Sequence, residues 1–207
     1  MHTTFKLFAL PALLAGLAAP ALAADYQSSA TQYIKDHVKG WVEAPEILAA
    51  IQAQNDANAV LSQAQIDSLD AAWRAEIDAP NKPTITPILN NPTSDLLRSK
   101  IDESNGVIVE AFLMDNRGLN VATAGLTSDY WQGDEEKFTA IFDNNKPSRK
   151  PDHHISRARW DDSSKTMISQ VSVPVFDGDE MVGTLTMGVD LKRVPHTNHA
   201  HSNKPAN

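Results

Sequence analysis

The sequence predicts an α+β domain in which a helical half precedes an antiparallel sheet. Apolar residues recur at helical spacing up to about residue 104, β-branched residues alternate after residue 107, and turn residues separate the alternating segments. A chain of 207 residues is long enough for one such domain. We expect this domain to cover residues 24–192, with the helical part over 26–104 and the sheet over 107–191.

The first 23 residues are typical of a secretory signal peptide. Lys6 precedes an apolar stretch, and Ala21-Leu22-Ala23 provides the small residues of a cleavage site. An uncleaved membrane anchor is the alternative, but the stretch is short and is interrupted by Pro11. We therefore predict cleavage near Ala23 and a periplasmic or secreted protein.

Proline and capping residues divide the helical half. A long N-terminal helix is expected over residues 26–61, kinked or restarted at Pro45. Ser62 begins a capping box, so the next helix should start at Gln63 and end before Pro80.

Four prolines lie between residues 80 and 92. They predict an extended connection, because the residue before a proline avoids helical backbone. Ser94 can then cap a short helix that ends at Asn105-Gly106, a pair typical of a helix C-terminus.

Five segments of the second half have the composition of strands. Turn residues 115–118 join the first two strands, and a helical insertion capped by Asp134 separates the second strand from the third. The strands are expected over residues 107–114, 119–124, 154–160, 166–176 and 181–191.

Alternate residues of the last strand differ in chemistry, and this difference assigns the two faces of the sheet. The face that contains Leu185 and Met187 is apolar and should pack on the long helix. The face that contains Thr184, Thr186 and Asp190 is small and polar. Either this polar face is open to water, the usual case for an antiparallel sheet, or it is the floor of a pocket that the insertion covers.

Charge and composition exclude several classes of function. The chain has 18 Lys and Arg residues against 26 Asp and Glu residues, a formal charge of −8, so its surface is poorly suited to nucleic acid. It contains no cysteine, which excludes disulfides and cysteine-based metal sites. The sequence motifs of hydrolases, zinc proteases and phosphate-binding loops are missing, so we expect neither an enzyme nor a cofactor.

Several segments resemble the Cache, or PDC-type, sensor domains. The most specific is Thr127-Ser128-Asp129-Tyr130-Trp131-Gln132-Gly133-Asp134-Glu135, and residues 114–122, 171–175 and 182–190 add to it. The resemblance covers residues 26–191. It implies a PAS-like fold, with a five-stranded antiparallel sheet, a long N-terminal helix on one face and a small-molecule pocket on the other.

Domains of this family usually form the outer part of membrane receptors. This sequence has no second hydrophobic segment and no kinase, cyclase or methyl-accepting region, so we expect a stand-alone form that acts through a membrane receptor. Domains of the family often pair along the long helix, which implies a homodimer through the N-terminal helix. The implied ligand is an amino acid, an amine or an organic acid.

Seven residues are candidates for contacts with this ligand. Tyr130 and Trp131 offer amphipathic rings that can close over a ligand, and Asp129 can meet an amine. Arg157 and Arg159 share one face of a predicted strand, and a guanidinium group suits a carboxylate. The alternatives are core packing for the rings and a solvent-exposed face for at least one arginine.

Ser172 and Asp190 complete the candidate set on the polar face of the sheet. Asp190 lies at the end of a largely uncharged strand, and its carboxylate is the acid that we expect at the ligand. A cap on the turn at the end of the strand is the alternative for Asp190.

The histidines lead to two further predictions. His153 and His154 alternate faces on a strand, so they cannot easily share one metal ion. His196, His199 and His201 have a spacing that can hold nickel, copper or zinc, although a polar tail with incidental histidines is the alternative. We expect the tail over residues 193–207 to be disordered.

Two classes of function follow from these features. In the first, the protein is a periplasmic binding domain that captures a small polar metabolite and presents it to a membrane receptor. In the alternative, it is a metal-handling or envelope interaction protein that uses the C-terminal histidines or the long helix.

Overall fold

A computed structural model describes residues 18–142, 152–162 and 164–195, with side chains from residue 26 onward. Helices occupy most of the chain up to Glu103, and a six-stranded antiparallel sheet follows. This order confirms the α+β class. The apolar stretch before residue 18 and the tail histidines His196, His199 and His201 lie outside the described residues.

The N-terminal arm is helical almost throughout. Helix α1 (Ala18–Tyr33) continues as a π-helical turn (Ile34–Val38) and then as α2 (Lys39–Val42). Helix α3 (Pro45–Asn58) starts after the extended residue Ala44, with the proline at its first position. The break predicted at Pro45 is therefore confirmed. Cleavage within α1, near Ala23, stays a prediction.

Two helices follow the arm, and only the first was predicted. Helix α4 (Gln63–Glu76) begins at the capping box of Ser62, as expected. Helix α5 (Ile85–Leu89) lies in the segment expected to be extended. The carboxylate of Glu76 accepts hydrogen bonds from the backbone N–H groups of Thr84 at 2.8 Å and Ile85 at 3.0 Å. This distant carboxylate caps a helix that the local sequence does not predict.

Helix α6 (Pro92–Glu103) begins earlier than predicted, because Asn91 and not Ser94 is its cap. The Asn91 side-chain oxygen accepts a hydrogen bond from the Ser94 N–H at 2.8 Å. The helix is followed, as predicted, by Asn105 and Gly106, whose φ angles are 53° and 81°.

The sheet is antiparallel at every pairing. Its order is β2-β1-β6-β5, and β3 and β4 both pair with the outer edge of β5. The strands are β1 (Ile108–Asp115), β2 (Asn120–Thr123), β3 (His154–Ile155), β4 (Arg159–Asp161), β5 (Thr166–Asp177) and β6 (Glu180–Asp190).

The strand predicted over residues 154–160 is interrupted and forms β3 and β4. The hydroxyl of Ser156 accepts a hydrogen bond from the Gln170 N–H at 2.9 Å, where a continuous ladder would use a backbone carbonyl. The sheet therefore has six strands and not the five predicted, but β3 and β4 lie along the same edge of β5 and occupy one position in the strand order.

The insertion between β2 and β3 contains α7 (Glu136–Thr139), a single turn of helix. Its N-cap is Glu135 and not the predicted Asp134, and no side chain caps it. Phe138 packs on Phe112 and Met114 of β1. Packing of this ring on the sheet, and not a cap, therefore fixes the position of the turn.

The apolar face of the sheet packs on the helices, as predicted. Leu185 and Met187 of β6 share one buried cluster with Ile47 and Ile51 of α3. A second cluster surrounds Trp73 of α4. None of the helices in the described part of the chain is long and apolar enough to cross a membrane.

Candidate functional site

The polar face of the sheet is the floor of a cleft of about 520 Å³, within the usual range for small-molecule sites. Cross-strand pairing aligns Glu110 and Gln170 with Gly188, and it places Arg159 opposite Ile168 on the same face. The floor side chains are Glu110, Phe112, Arg159, Asp161 and Gln170. The roof is the segment 126–137, which leads from β2 to α7.

Glu110 lies flat across the floor. A Cβ atom on Gly188 would lie 2.4 Å from the Glu110 Cγ, so only glycine leaves room for this side chain. The Glu110 carboxylate accepts a hydrogen bond from the Gln170 side-chain amide at 3.0 Å. Arg159, by contrast, forms no ion pair with any residue that the structure describes.

Gln132 fixes the roof and contains a buried acceptor without a partner among the described residues. Its backbone N–H donates to the Gly118 carbonyl at 2.8 Å, and its side-chain amide donates to the Asp129 carbonyl at 2.8 Å. The residue is only 1% exposed, and its Oε1 atom has no hydrogen-bond partner among the described residues. A buried oxygen of this kind is suited to an N–H or O–H donor from a ligand.

Lys137 supplies a fixed cation at the inner end of the cleft. The residue is 9% exposed, with its Nζ atom 3.0 Å from the Glu135 carboxylate and 5.1 Å from the centre of the Phe112 ring. The ion pair and the cation–π contact together hold the ammonium group in place.

Acids outnumber bases around the cleft. Four carboxylates line it against the two cations Lys137 and Arg159. Asp161 already accepts hydrogen bonds from the Ser164 N–H and hydroxyl at 2.7 and 2.6 Å. The local charge therefore favours a ligand with a cationic group, while Arg159 is available to a carboxylate.

Tyr130 and Trp131 lie on the far side of the roof. Tyr130 stacks on Trp73 of α4, with ring centres 5.5 Å apart, and the indole N–H of Trp131 donates to the Arg117 carbonyl at 2.8 Å. Burial, reinforced by the nearby Asp115 carboxylate, raises the pKa of Tyr130 to about 12. Both rings thus take the structural alternative of packing against the protein, and neither closes over the cleft.

Asp129 lies between two clefts. It lines the main cleft, and it also lines a smaller one of about 230 Å³ next to Asp70 and Arg74. The Arg74 guanidinium bridges the two carboxylates, at 2.5 Å from Asp70 and 3.2 Å from Asp129. The Asp129 side chain is therefore within reach of an amine but already has a partner.

The other three candidates are dispersed. Arg157 lines a separate cleft beside Tyr26. Ser172 is buried, with its hydroxyl oxygen 2.8 Å from that of Thr186. The Asp190 carboxylate accepts hydrogen bonds from the Thr166 hydroxyl at 3.2 Å and the Lys192 N–H at 2.9 Å, which is the alternative of a cap at the strand end.

Aromatic side chains fill the centre of the polar face. Phe138 and Phe142 stack with ring centres 5.0 Å apart, and they pack on Phe112 and Met114. The open space of the main cleft therefore lies toward β4, whereas Trp131 lines the smaller cleft beside Arg74.

Sequence reasoning missed Glu110, Gln132, Lys137 and Gln170 as cleft residues. A signal existed for Glu110, which is the one acid in the interior of β1, since Asp115 is the last residue of that strand. Lys137 follows three acidic residues in the sequence. Such a run of charges usually indicates the solvent-exposed face of a helix, so it gave no signal for a cleft residue.

Metal binding has no support in the described ranges, where no three His, Asp or Glu side chains converge as a metal site would require. As predicted, His153 and His154 lie on opposite sides of the chain. His153 Nε2 is 3.2 Å from the Thr31 hydroxyl of α1, whereas His154 pairs with Ser172 on the polar face.

The sequence matches no model of a protein family and no curated protein. Solved structures that the chain partly resembles include three bacterial sensor or ligand-binding domains. The match with the sensor domain of the Vibrio cholerae histidine kinase DctB covers 84% of this chain at 15% identity and a TM-score of 0.40. This chain spans only 58% of the length of that domain.

Two further sensor domains show a similar degree of likeness. The match with the Escherichia coli DcuS sensor domain covers 62% of this chain and 92% of the DcuS domain, at 14% identity and a TM-score of 0.36. The second is the ligand-binding domain of the Campylobacter jejuni chemoreceptor Tlp3, solved in complex with L-valine. The match covers 83% of this chain and 68% of the Tlp3 domain, at 14% identity and a TM-score of 0.37.

Proposed function

We propose that the protein is a binding domain for a small polar metabolite and that the cleft between the polar face and the segment 126–137 is its site. The observation that carries this proposal is the cleft itself. It has the volume of a metabolite site, and its polar groups come from three strands and one roof segment. The proposed role is binding and sensing, without catalysis.

The lining groups favour a ligand with both an ammonium group and a carboxylate. The surplus of carboxylates and the unpartnered Gln132 Oε1 suit the ammonium group. Arg159, on the strand at the edge of the cleft, suits the carboxylate, because a guanidinium group can bind it at two points. Amino acids have this combination, and amines or organic acids satisfy half of it.

The signal-like N-terminus supports a periplasmic or secreted location, and the resemblance to Cache sensors supports a membrane receptor as the partner. On this proposal the occupied domain is the form that the receptor recognises. Pairing of two copies along α1 and α2 is part of the same proposal, and sedimentation of the purified protein tests it.

A thermal-shift panel tests the binding proposal. Suitable compounds are the common L-amino acids, putrescine and succinate, which separate zwitterions from simple cations and anions. A ligand at about 100 times its Kd adds roughly 2.7 kcal/mol, which should raise the Tm by about 5 to 10 °C. If no compound of the panel shifts the Tm, the proposal fails.

The variants Arg159→Ala and Arg157→Ala form a matched pair. Both residues are exposed arginines on the same edge of the sheet, but only Arg159 lines the main cleft. Loss of a charged hydrogen-bonding partner should weaken binding of a carboxylate ligand by about tenfold or more for Arg159→Ala. Equal affinities in the two variants would place the ligand elsewhere.

A further inference from the structure

Helix α7 contacts His154 of β3, a residue of the polar face that does not line the main cleft. The Glu136 carboxylate lies 3.6 Å from Nε2 of His154 on β3. The pairing of His154 with Ser172 places the imidazole on the same face of the sheet as the cleft. The Nε2 atom is buried and has no hydrogen-bond partner in the described part of the chain.

We infer that His154 and Glu136 are positioning residues, whose contact strengthens when the imidazole is protonated and then holds α7 against the polar face. Lys137, the next residue of α7, lines the main cleft, so the contact also controls the shape of the cleft. The effect on the cleft rests on the proposed function.

The contact adds to the packing of Phe138 on the sheet, which already holds the turn of α7. The helix has four residues and no side-chain cap. An imidazole ordinarily gains its charge between pH 8 and pH 5, and a charged ring attracts a carboxylate at this distance far more than a neutral ring does. Protonation therefore adds an attraction between the helix and β3 that is weak at higher pH.

Among the residues that the structure describes, few other charged groups lie near His154. Lys137 is the second cation of this region, and it is already paired with Glu135 at 3.0 Å. On the polar face of β5 the neighbouring residues are Gln170, Ser172 and Pro174, which carry no charge. Asp152 and His153 precede His154 along the chain.

His153 is a natural control. It is the adjacent histidine, but its Nε2 atom lies 3.2 Å from the Thr31 hydroxyl of α1, on the other side of the chain from His154. Burial lowers the pKa of His153, and the Asp152 carboxylate only partly opposes this effect. A change at His153 should therefore leave α7 unaffected.

Amide hydrogen exchange of residues 136–142 in the ligand-free chain tests the inference. At about pH 5.5 the wild-type segment should be protected about two- to fivefold more than in His154→Gln or Glu136→Gln, and the difference should vanish at about pH 8. His153→Gln should match the wild type at both pH values, and Glu136→Asp should recover part of the protection. Equal protection in His154→Gln and the wild type at the lower pH would overturn the inference.

The effect on the cleft is a separate measurement. The compound of the panel with the largest thermal shift should bind the wild type about two- to fivefold more tightly than His154→Gln at about pH 5.5, and equally at about pH 8. If no compound binds, the proposed function fails, while hydrogen exchange still decides whether the two residues position α7.

Discussion

Asp70→Ala should lower the free energy of unfolding by about 2 to 5 kcal/mol, because the roof of the cleft depends on this carboxylate. One of its oxygens accepts hydrogen bonds from the N–H groups of Tyr130 at 2.9 Å and Trp131 at 3.0 Å. The buried Tyr130 N–H without an acceptor costs about 1 to 3 kcal/mol, the partly buried Trp131 N–H costs less, and the half-exposed ion pair with Arg74 adds at most about 1 kcal/mol. The Tm should fall by roughly 5 to 15 °C.

Thermal and urea denaturation followed by circular dichroism measure this loss. Asp67→Ala is the control, since Asp67 lies one turn earlier on the same helix, is exposed, and accepts a hydrogen bond from Gln63 of that helix. Its effect should stay within about 0.5 kcal/mol. Asp70→Asn keeps an acceptor oxygen and should lose less than Asp70→Ala. Equal stabilities of Asp70→Ala and Asp67→Ala would refute the reasoning.

Three further predictions concern ionisation and backbone conformation. Burial and a nearby carboxylate raise the pKa of Tyr130 to about 12, so stability should fall as the pH rises from about 10 to about 12, where only the unfolded chain releases this proton. Burial also raises the pKa of Tyr33, so absorbance titration should show Tyr130 as the last tyrosine to ionise, and a single step near pH 10 would contradict this. Burial opposes ionisation of Glu76, but hydrogen bonds from the start of α5 outweigh it and lower the pKa. The stability that Glu76 contributes is thus present at neutral pH and is lost as the pH falls through the lowered pKa. In Glu76→Gln the free energy of unfolding should therefore depend less on pH in the acid range. Gly118 has a φ of 82°, and a Cβ there would lie 2.6 Å from the Gly133 Cα, so Gly118→Ala should cost about 1 to 3 kcal/mol by urea denaturation. Gly125→Ala, with no atom within 4 Å, should be close to neutral.

Local rules predicted the elements that depend on nearby residues. The capping box at Ser62, the restart at Pro45 and the turn at Asn105-Gly106 each involve groups within a few positions of one another. The period of two in β6 likewise assigned its faces, because alternation is a property of one strand.

Features that depend on distant residues were not predictable in this way. The cap of α5 comes from Glu76, eight residues away, and the break between β3 and β4 depends on a hydrogen bond from Gln170 to Ser156. The direction of the Tyr130 ring is set by Trp73, more than fifty residues earlier. No periodicity within the segment 127–138 contains this information.

The division of the sheet into two chemically separate faces has a consequence for how such a protein can evolve. Residues toward the helices are fixed by packing, whereas Glu110, Gln170 and Arg159 come from three strands and contribute nothing to the apolar cluster on the opposite side. Arg159 is exposed, so mutations there can accumulate with little loss of foldability, whereas Glu110 and Gln170 share a hydrogen bond and would change together. A lineage can change what it recognises while it inherits the same scaffold.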